Sequence, residues 1–172
     1  MRKTSEFKSK MKRLRSNRGT AMLEFAVSVP LLMILLAGAL DFGTACYVAI
    51  EVTNAARAGA QYGAQNGQTT IDTAGMELAA KNEASNISTT SSTAAGKTYW
   101  VTGYPLASYG CECANGTGIK SNTTSCSCTG TSQQVNFVLV TTQATYNPII
   151  PWKGYNSTYT FNGMAKLRVG TQ

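Results

Sequence analysis

Between Phe25 and Leu40 the sequence runs sixteen residues without a charge, directly after a dense basic arm. As a helix, that stretch rises only about 24 Å, short of the roughly 30 Å of a bilayer core. Extension back to Thr20 gives 21 residues and about 31 Å, which fits a single span. The extension draws Glu24 into the apolar zone. A carboxylate near the centre of a span costs on the order of 3 kcal/mol, and less near the interface. Glu24 therefore needs a partner or a purpose. Pro30 stands mid-span, where it removes a backbone donor and is expected to kink or loosen the helix.

The charge is as uneven as the hydropathy. The net charge is +7, and residues 1–19 account for all of it. Arg2, Lys3, Lys8, Lys10, Lys12, Arg13, Arg15 and Arg18 stand there against Glu6 alone, while the remaining acids and bases cancel. A basic arm beside an apolar run is a topology signal that stays cytoplasmic. No basic face follows it, so nucleic acid is not an expected partner. The chain has no histidine, which removes the commonest general base and the commonest metal ligand. Asp72, Glu77, Glu83 and Glu112 form no pairing that the sequence places in one pocket. The expectation is a chain that is not an enzyme and that needs no cofactor or catalytic metal.

Four zones follow: a basic leader at 1–19, a long helix at 20–65, a polar linker with a short helix around Ile71–Ala84 within 66–98, and a small β-rich domain at 99–172. After Asp41 the helix continues through small residues. Ala37, Ala45 and Ala49 recur at helical spacing, as do Ala55, Gly59 and Gly63. Such a seam admits either a second helix or the chain's own domain. Toward the C-terminus, residues 135–146 are β-branched. Residues 159–169 alternate about Tyr159, Phe161, Ala165, Leu167 and Val169, with Gly163 at a possible bulge. Pro148 and Pro151 mark a loop or turn between them. Residues 99–102 add a third short strand. The fold class is α+β: a long N-terminal transmembrane helix continuing into a small domain with a short helix and an antiparallel sheet.

Cys111, Cys113, Cys126 and Cys128 form two Cys-x-Cys pairs in a Gly/Ser/Thr-rich stretch. In an exported, loop-rich domain they read as disulfides. A Cys₄ zinc site is the competing reading, although structural zinc usually takes Cys-x₂₋₄-Cys spacing. A nested ladder of Cys111–Cys128 and Cys113–Cys126 suits a hairpin; the other two connectivities stay open. Cys46 is expected to be a small buried side chain on the helix.

The string at 17–43 carries the functional expectation. A basic leader ends in Gly19, Glu24 follows five residues later, and Phe25 opens the apolar helix. This resembles a type IV prepilin processing site, in which a membrane aspartic peptidase cuts after the glycine, here between Gly19 and Thr20. A residue without a side chain fits a narrow cleavage site in an extended conformation. The cut removes the excess positive charge and leaves an ammonium group at Thr20. Glu24 lies one helical turn away on the same face.

The ordered set Arg18-Gly19, Glu24-Phe25-Ala26, Pro30-Leu31-Leu32, Asp41-Phe42-Gly43 and Asn54 through Ala60 resembles the TadE-like minor pseudopilins. Residues 140–151 and 165–169 also resemble closing strands of that family. The resemblance implies a role in assembling an adhesive Tad (Flp-type) pilus through helix–helix association. It implies a prepilin peptidase, other pilins or pseudopilins, the assembly machinery and membrane lipid as partners. The implied location is the bacterial inner membrane, with the C-terminal domain extracytoplasmic, in periplasm or pilus. The resemblance does not account for the Cys-x-Cys region. The alternative is a secreted or surface binding protein with a disulfide-clipped β domain and a signal peptide cleaved after Ala37-Gly38-Ala39. That reading leaves Glu24 unexplained. The mature N-terminus separates the two: Thr20 for the first, Leu40 for the second.

Overall fold

The computed structural model describes residues 18–130, 132–150 and 158–170. The leader up to residue 17, and residues 151–157 of the expected turn between the two long strands, lie outside the described residues. The chain divides into two compact units, Met1–Leu40 and Asp41–Gln172. Helix α1 (Arg18–Gly63) supplies the first unit and the opening segment of the second. Its assignment is unbroken through Pro30.

In the second unit α1 is followed by α2 (Gly67–Ile71) and α3 (Thr73–Glu83). The sequence suggests one short helix here; the structure forms two, separated at Asp72. Asn66 caps α2 by accepting from the amides of Gln68 and Thr69, and the Thr69 hydroxyl accepts from the Asn66 amide. This reciprocal pattern satisfies amides left orphaned at a helix start. Asp72 caps α3 by accepting from the Gly75 amide at 2.9 Å and also accepts the Tyr62 hydroxyl at 2.9 Å. The segment read as a polar linker sends Met76, Ala80, Ala84 and Ile87 into the core. Its surface is polar enough that those few inward positions are easily overlooked.

Five strands make one curled antiparallel sheet: β1 (Thr98–Trp100), β2 (Leu106–Cys113), β3 (Lys120–Ser121), β4 (Gln134–Tyr146) and β5 (Tyr159–Val169). β4 is the hub. β5 pairs along one side of it, from Asn136↔Val169 to Tyr146↔Tyr159. β2 and then β1 take its other side, and β3 adds to β2. The sequence did not single out β2. "LASYGCEC" is poor in β-branched residues, and only pairing with β4 and burial at its far end make it a strand.

One face of β4, carrying Val138, Val140, Thr142, Ala144 and Tyr146, is fully buried. α1 covers it with Val48, Val52, Ala55, Ala56 and Ala60. A Cβ on Gly59 would stand 2.7 Å from the Met76 carbonyl and 3.2 Å from Val140 Cγ1. The small-residue seam therefore packs on the chain's own domain, which decides between the two readings of Ala55, Gly59 and Gly63.

Gly163 is not at a bulge, since its pairing with Thr142 lies inside an unbroken register. It is the point where the α1 backbone meets the sheet. Its absent Cβ would stand 2.5 Å from Thr142 Oγ1 and 2.6 Å from the Val52 carbonyl oxygen. Thr142 donates to that same carbonyl at 2.7 Å, using the lone pair that the helix bond leaves spare. Gly163→Ala is expected to cost about 1–3 kcal/mol, as overpacking typically does. A denaturant midpoint unchanged from that of the parent would show that the helix yields freely at this crossing.

Candidate functional site: the apolar helix

Residues 18–40 form the apolar part of α1, which by length and composition is able to cross a membrane. Met22, Leu23, Phe25 and Val27 are at least two-thirds exposed, and Leu31 through Leu36 are 55–62% exposed. At about 25 cal/mol per Å² this much apolar surface is costly to leave in water. Glu24 is exposed among these side chains. Ser28 meets its polar need locally by donating to the Phe25 carbonyl at 3.0 Å.

Gly19 and Thr20 lie in the first turn of α1, helical rather than extended. A glycine in a helix costs up to about 1 kcal/mol relative to alanine, and terminal turns fray, so opening this turn is cheap. A Cβ on Gly19 would meet nothing within 4 Å. Packing among the described residues gives no reason for glycine there.

Asp41 opens the second unit. Its Oδ1 accepts the Tyr146 hydroxyl at 2.9 Å and the Ile149 amide at 2.8 Å, and its Oδ2 accepts the Ile150 amide at 3.1 Å. Desolvation pushes its pKa up, but the two amides and the phenol together outweigh it, and the net shift is downward. The carboxylate thus ties α1 to the segment just after β4. Sequence reasoning gave Asp41 a place in a motif but no job. An acid at the end of an apolar helix was the available signal.

The cysteines bridge as Cys111–Cys126 and Cys113–Cys128, with Cα separations of 5.9 and 5.7 Å. This corrects the nested ladder. Each bridge spans the same sequence separation, 15, so the 126–128 segment runs in step with β2 rather than against it. The antiparallel neighbour of Cys111 is Lys120 of β3, and the chain reverses again before Cys126. Cys46 is free and exposed, not buried as expected; it lies on the α1 face turned away from the sheet.

The carboxylates that formed no pocket have structural roles. Asp72 is a cap, and Glu77 accepts the Ala107 amide at 3.3 Å. Glu112 is buried on the outer sheet face, where it accepts from Lys166 Nζ and from Arg168 Nε at 2.8 Å. The Lys166 ammonium also lies 4.2 Å from the Phe137 ring centre. Lys166 and then Arg168 hold the Glu112 carboxyl below its ordinary value. Among the described residues no cluster of His, Cys, Asp or Glu is suited to a metal ion.

The family model for TadE-like protein matches residues 19–61. Over that quarter of the sequence the chain is TadE-like. No curated protein and no solved structure matches the chain. The TadE-like family is pilin-associated and non-catalytic, and its motif now has a physical reading in this chain. Of the TadE-like string from Asn54 to Ala60, Ala55, Ala56 and Ala60 are fully buried, Gly59 allows the close approach to α3, and Asn54 and Arg57 face outward. Asp41 of the acidic-Phe-Gly step anchors the segment after β4, while Phe42 remains 73% exposed.

Asp41 and Glu112 both have lowered folded-state pKa values. Their stabilisation is complete above the ordinary carboxylate range and is lost as pH falls through the lowered values. Asp41→Asn and Glu112→Gln are expected to be less stable than the parent at pH 7 and to lose less stability on acidification below about pH 5. Denaturant titrations of the full chain in detergent across that range measure this. Profiles parallel to that of the parent would show that neither carboxylate is linked to folding.

Proposed function

We infer that this chain is a minor pseudopilin of TadE type that helps initiate or assemble a Tad-type adhesive pilus. Residues 20–40 span the inner membrane once, the basic leader is cytoplasmic, and the second unit is extracytoplasmic. A prepilin peptidase cuts between Gly19 and Thr20. The mature helix then associates with helices of other pilins or pseudopilins.

One observation carries this reading: Gly19, which no packing among the described residues requires, stands at the start of an exposed apolar helix with a carboxylate five residues later. After the cut, Glu24 is able to pair with the Thr20 ammonium of a neighbouring subunit. That pairing offsets the burial cost of both charges and sets the axial register between subunits. Two disulfides in the second unit fit an oxidising compartment beyond the inner membrane. Mass spectrometry of the mature protein tests the reading directly. A terminus at Thr20 supports it, and a terminus at Leu40 replaces it with a secreted protein whose signal peptide has been removed.

Gly19→Leu is expected to block processing, because a branched side chain would fill the space where the peptidase approaches. An immunoblot showing normal maturation of that variant would sink the prepilin reading.

Glu24→Ala is expected to insert at least as well as the parent, since it removes an insertion cost. Pilus assembly should nevertheless fail. Loss of one partner of a buried ion pair costs about 3–5 kcal/mol, enough to weaken association by about a hundredfold or more. Glu24→Gln should fail nearly as badly, because it keeps the shape without the charge. Normal piliation by both variants, scored by electron microscopy, would rule out the Thr20–Glu24 contact.

A further inference from the structure

The two edges of the sheet are treated differently. On the β1/β2 side, β3 pairs with β2 at Gly110 and Cys111. Ser88 closes β1 by donating its amide to the Thr98 carbonyl at 3.0 Å and accepting from the Trp100 amide at 2.9 Å. The disulfides hold Cys126 and Cys128 to Cys111 and Cys113, at the C-terminal end of β2. β5, on the other side, pairs among the described residues with β4 alone, along its whole length of eleven residues. Among the described residues no backbone hydrogen bond reaches its outward edge. A bare edge of that length is a template for another strand.

Natural edges of this kind are usually blunted by charge, proline or a bulge. β5 has no proline and no bulge. Its charges, Lys166 and Arg168, are drawn across the outer face to Glu112. The stretch from Tyr159 to Ala165 carries no charge at all. Along the strand Met164 is 69% exposed, Tyr159 40% and Leu167 36%.

We propose that β5 pairs edge to edge with β5 of a second copy of this chain, antiparallel about Met164, joining two sheets into one. The midpoint of β5 is Met164, so this register engages all eleven residues. It sets the two Met164 side chains against each other on the two-fold axis, as an isologous contact requires. Phe161 falls opposite Leu167, so apolar meets apolar on one face. Arg168 falls opposite Thr160, so no like charges oppose each other. Centring the pair on Lys166 or Leu167 would instead set cation against cation, which is unfavourable. The inference concerns the second unit alone and does not depend on processing at Gly19.

Cross-linking of the full chain in membranes tests it. In a Cys46→Ser background, which removes the exposed free thiol, Met164→Cys is expected to give a covalent dimer with a short bifunctional thiol reagent. Thr160→Cys is not, because its two copies would lie eight residues apart along the paired strands, about 27 Å. A dimer at both positions would mean parallel pairing and would overturn the register. The absence of a Met164→Cys dimer from chain whose native bridges are intact would overturn the proposal, as would capture there of a different protein alone. A charge test is independent of thiol chemistry. Thr160→Lys places a cation against Arg168 twice by symmetry and should weaken the dimer by about tenfold, while Thr160→Glu should preserve or tighten it. Equal dimerisation of the two variants, read by light scattering in detergent, would also overturn it.

Discussion

The second unit depends on how closely α1 can lie on the sheet. Side chains normally hold a helix well away from strands. Here two glycines, Gly59 on its side of α1 and Gly163 on β5, withdraw theirs, and Thr142 reaches the Val52 carbonyl directly. A backbone that close leaves no room for water. The sheet face beneath must then be small or β-branched, as Val138, Val140, Thr142 and Ala144 are. The short helices follow from the same constraint. α3 presents Met76 and Ala80 to the seam, so the segment before β1 is held in the core instead of hanging free.

Polar clasps complete what the seam begins. Asp41 ties α1 to the chain after β4, and Glu112 ties β2 to β5 over the outer face. Asp41 has three donors and Glu112 two, because a charge taken out of water rarely recovers its desolvation from a single partner. Two disulfides then fix the Gly/Ser/Thr-rich excursion after β2, which has little apolar surface of its own. Among the described residues, the outward edge of β5 is left without backbone partners. The apolar run that ends at Leu40 is the opposite case: its large apolar side chains are exposed, and apolar surface on that scale is costly to leave in water.

The long helix and the strands β4 and β5 were legible because each carries a strong local signal: an uncharged apolar run, a β-branched run and strict alternation. The leader glycine, Glu24 and the Asn54–Ala60 string were legible as an ordered pattern. β2 was not, because Ala107, Ser108, Gly110 and the cysteines have no strong strand preference of their own. Neither was the pairing of the cysteines, which depends on a second reversal of the chain after β3. The roles of Asp41 and Glu112 were hidden because their partners lie far along the chain, at Tyr146 to Ile150 and at Lys166 and Arg168.

The sequence by itself determined which stretch is too apolar for water, where its charge asymmetry lies, and that Gly19 and Glu24 stand between the basic arm and the apolar run. Those are properties of composition and spacing, and no folded partner is needed to read them. Tertiary structure alone decided that the small-residue seam faces the chain's own sheet, that Gly163 marks a helix crossing and not a bulge, and that Cys46 points outward. It also decided that one sheet edge is closed and the other open. Each of these turns on which distant segments meet, and a local pattern of side chains is compatible with more than one neighbour until the backbone brings one of them within contact.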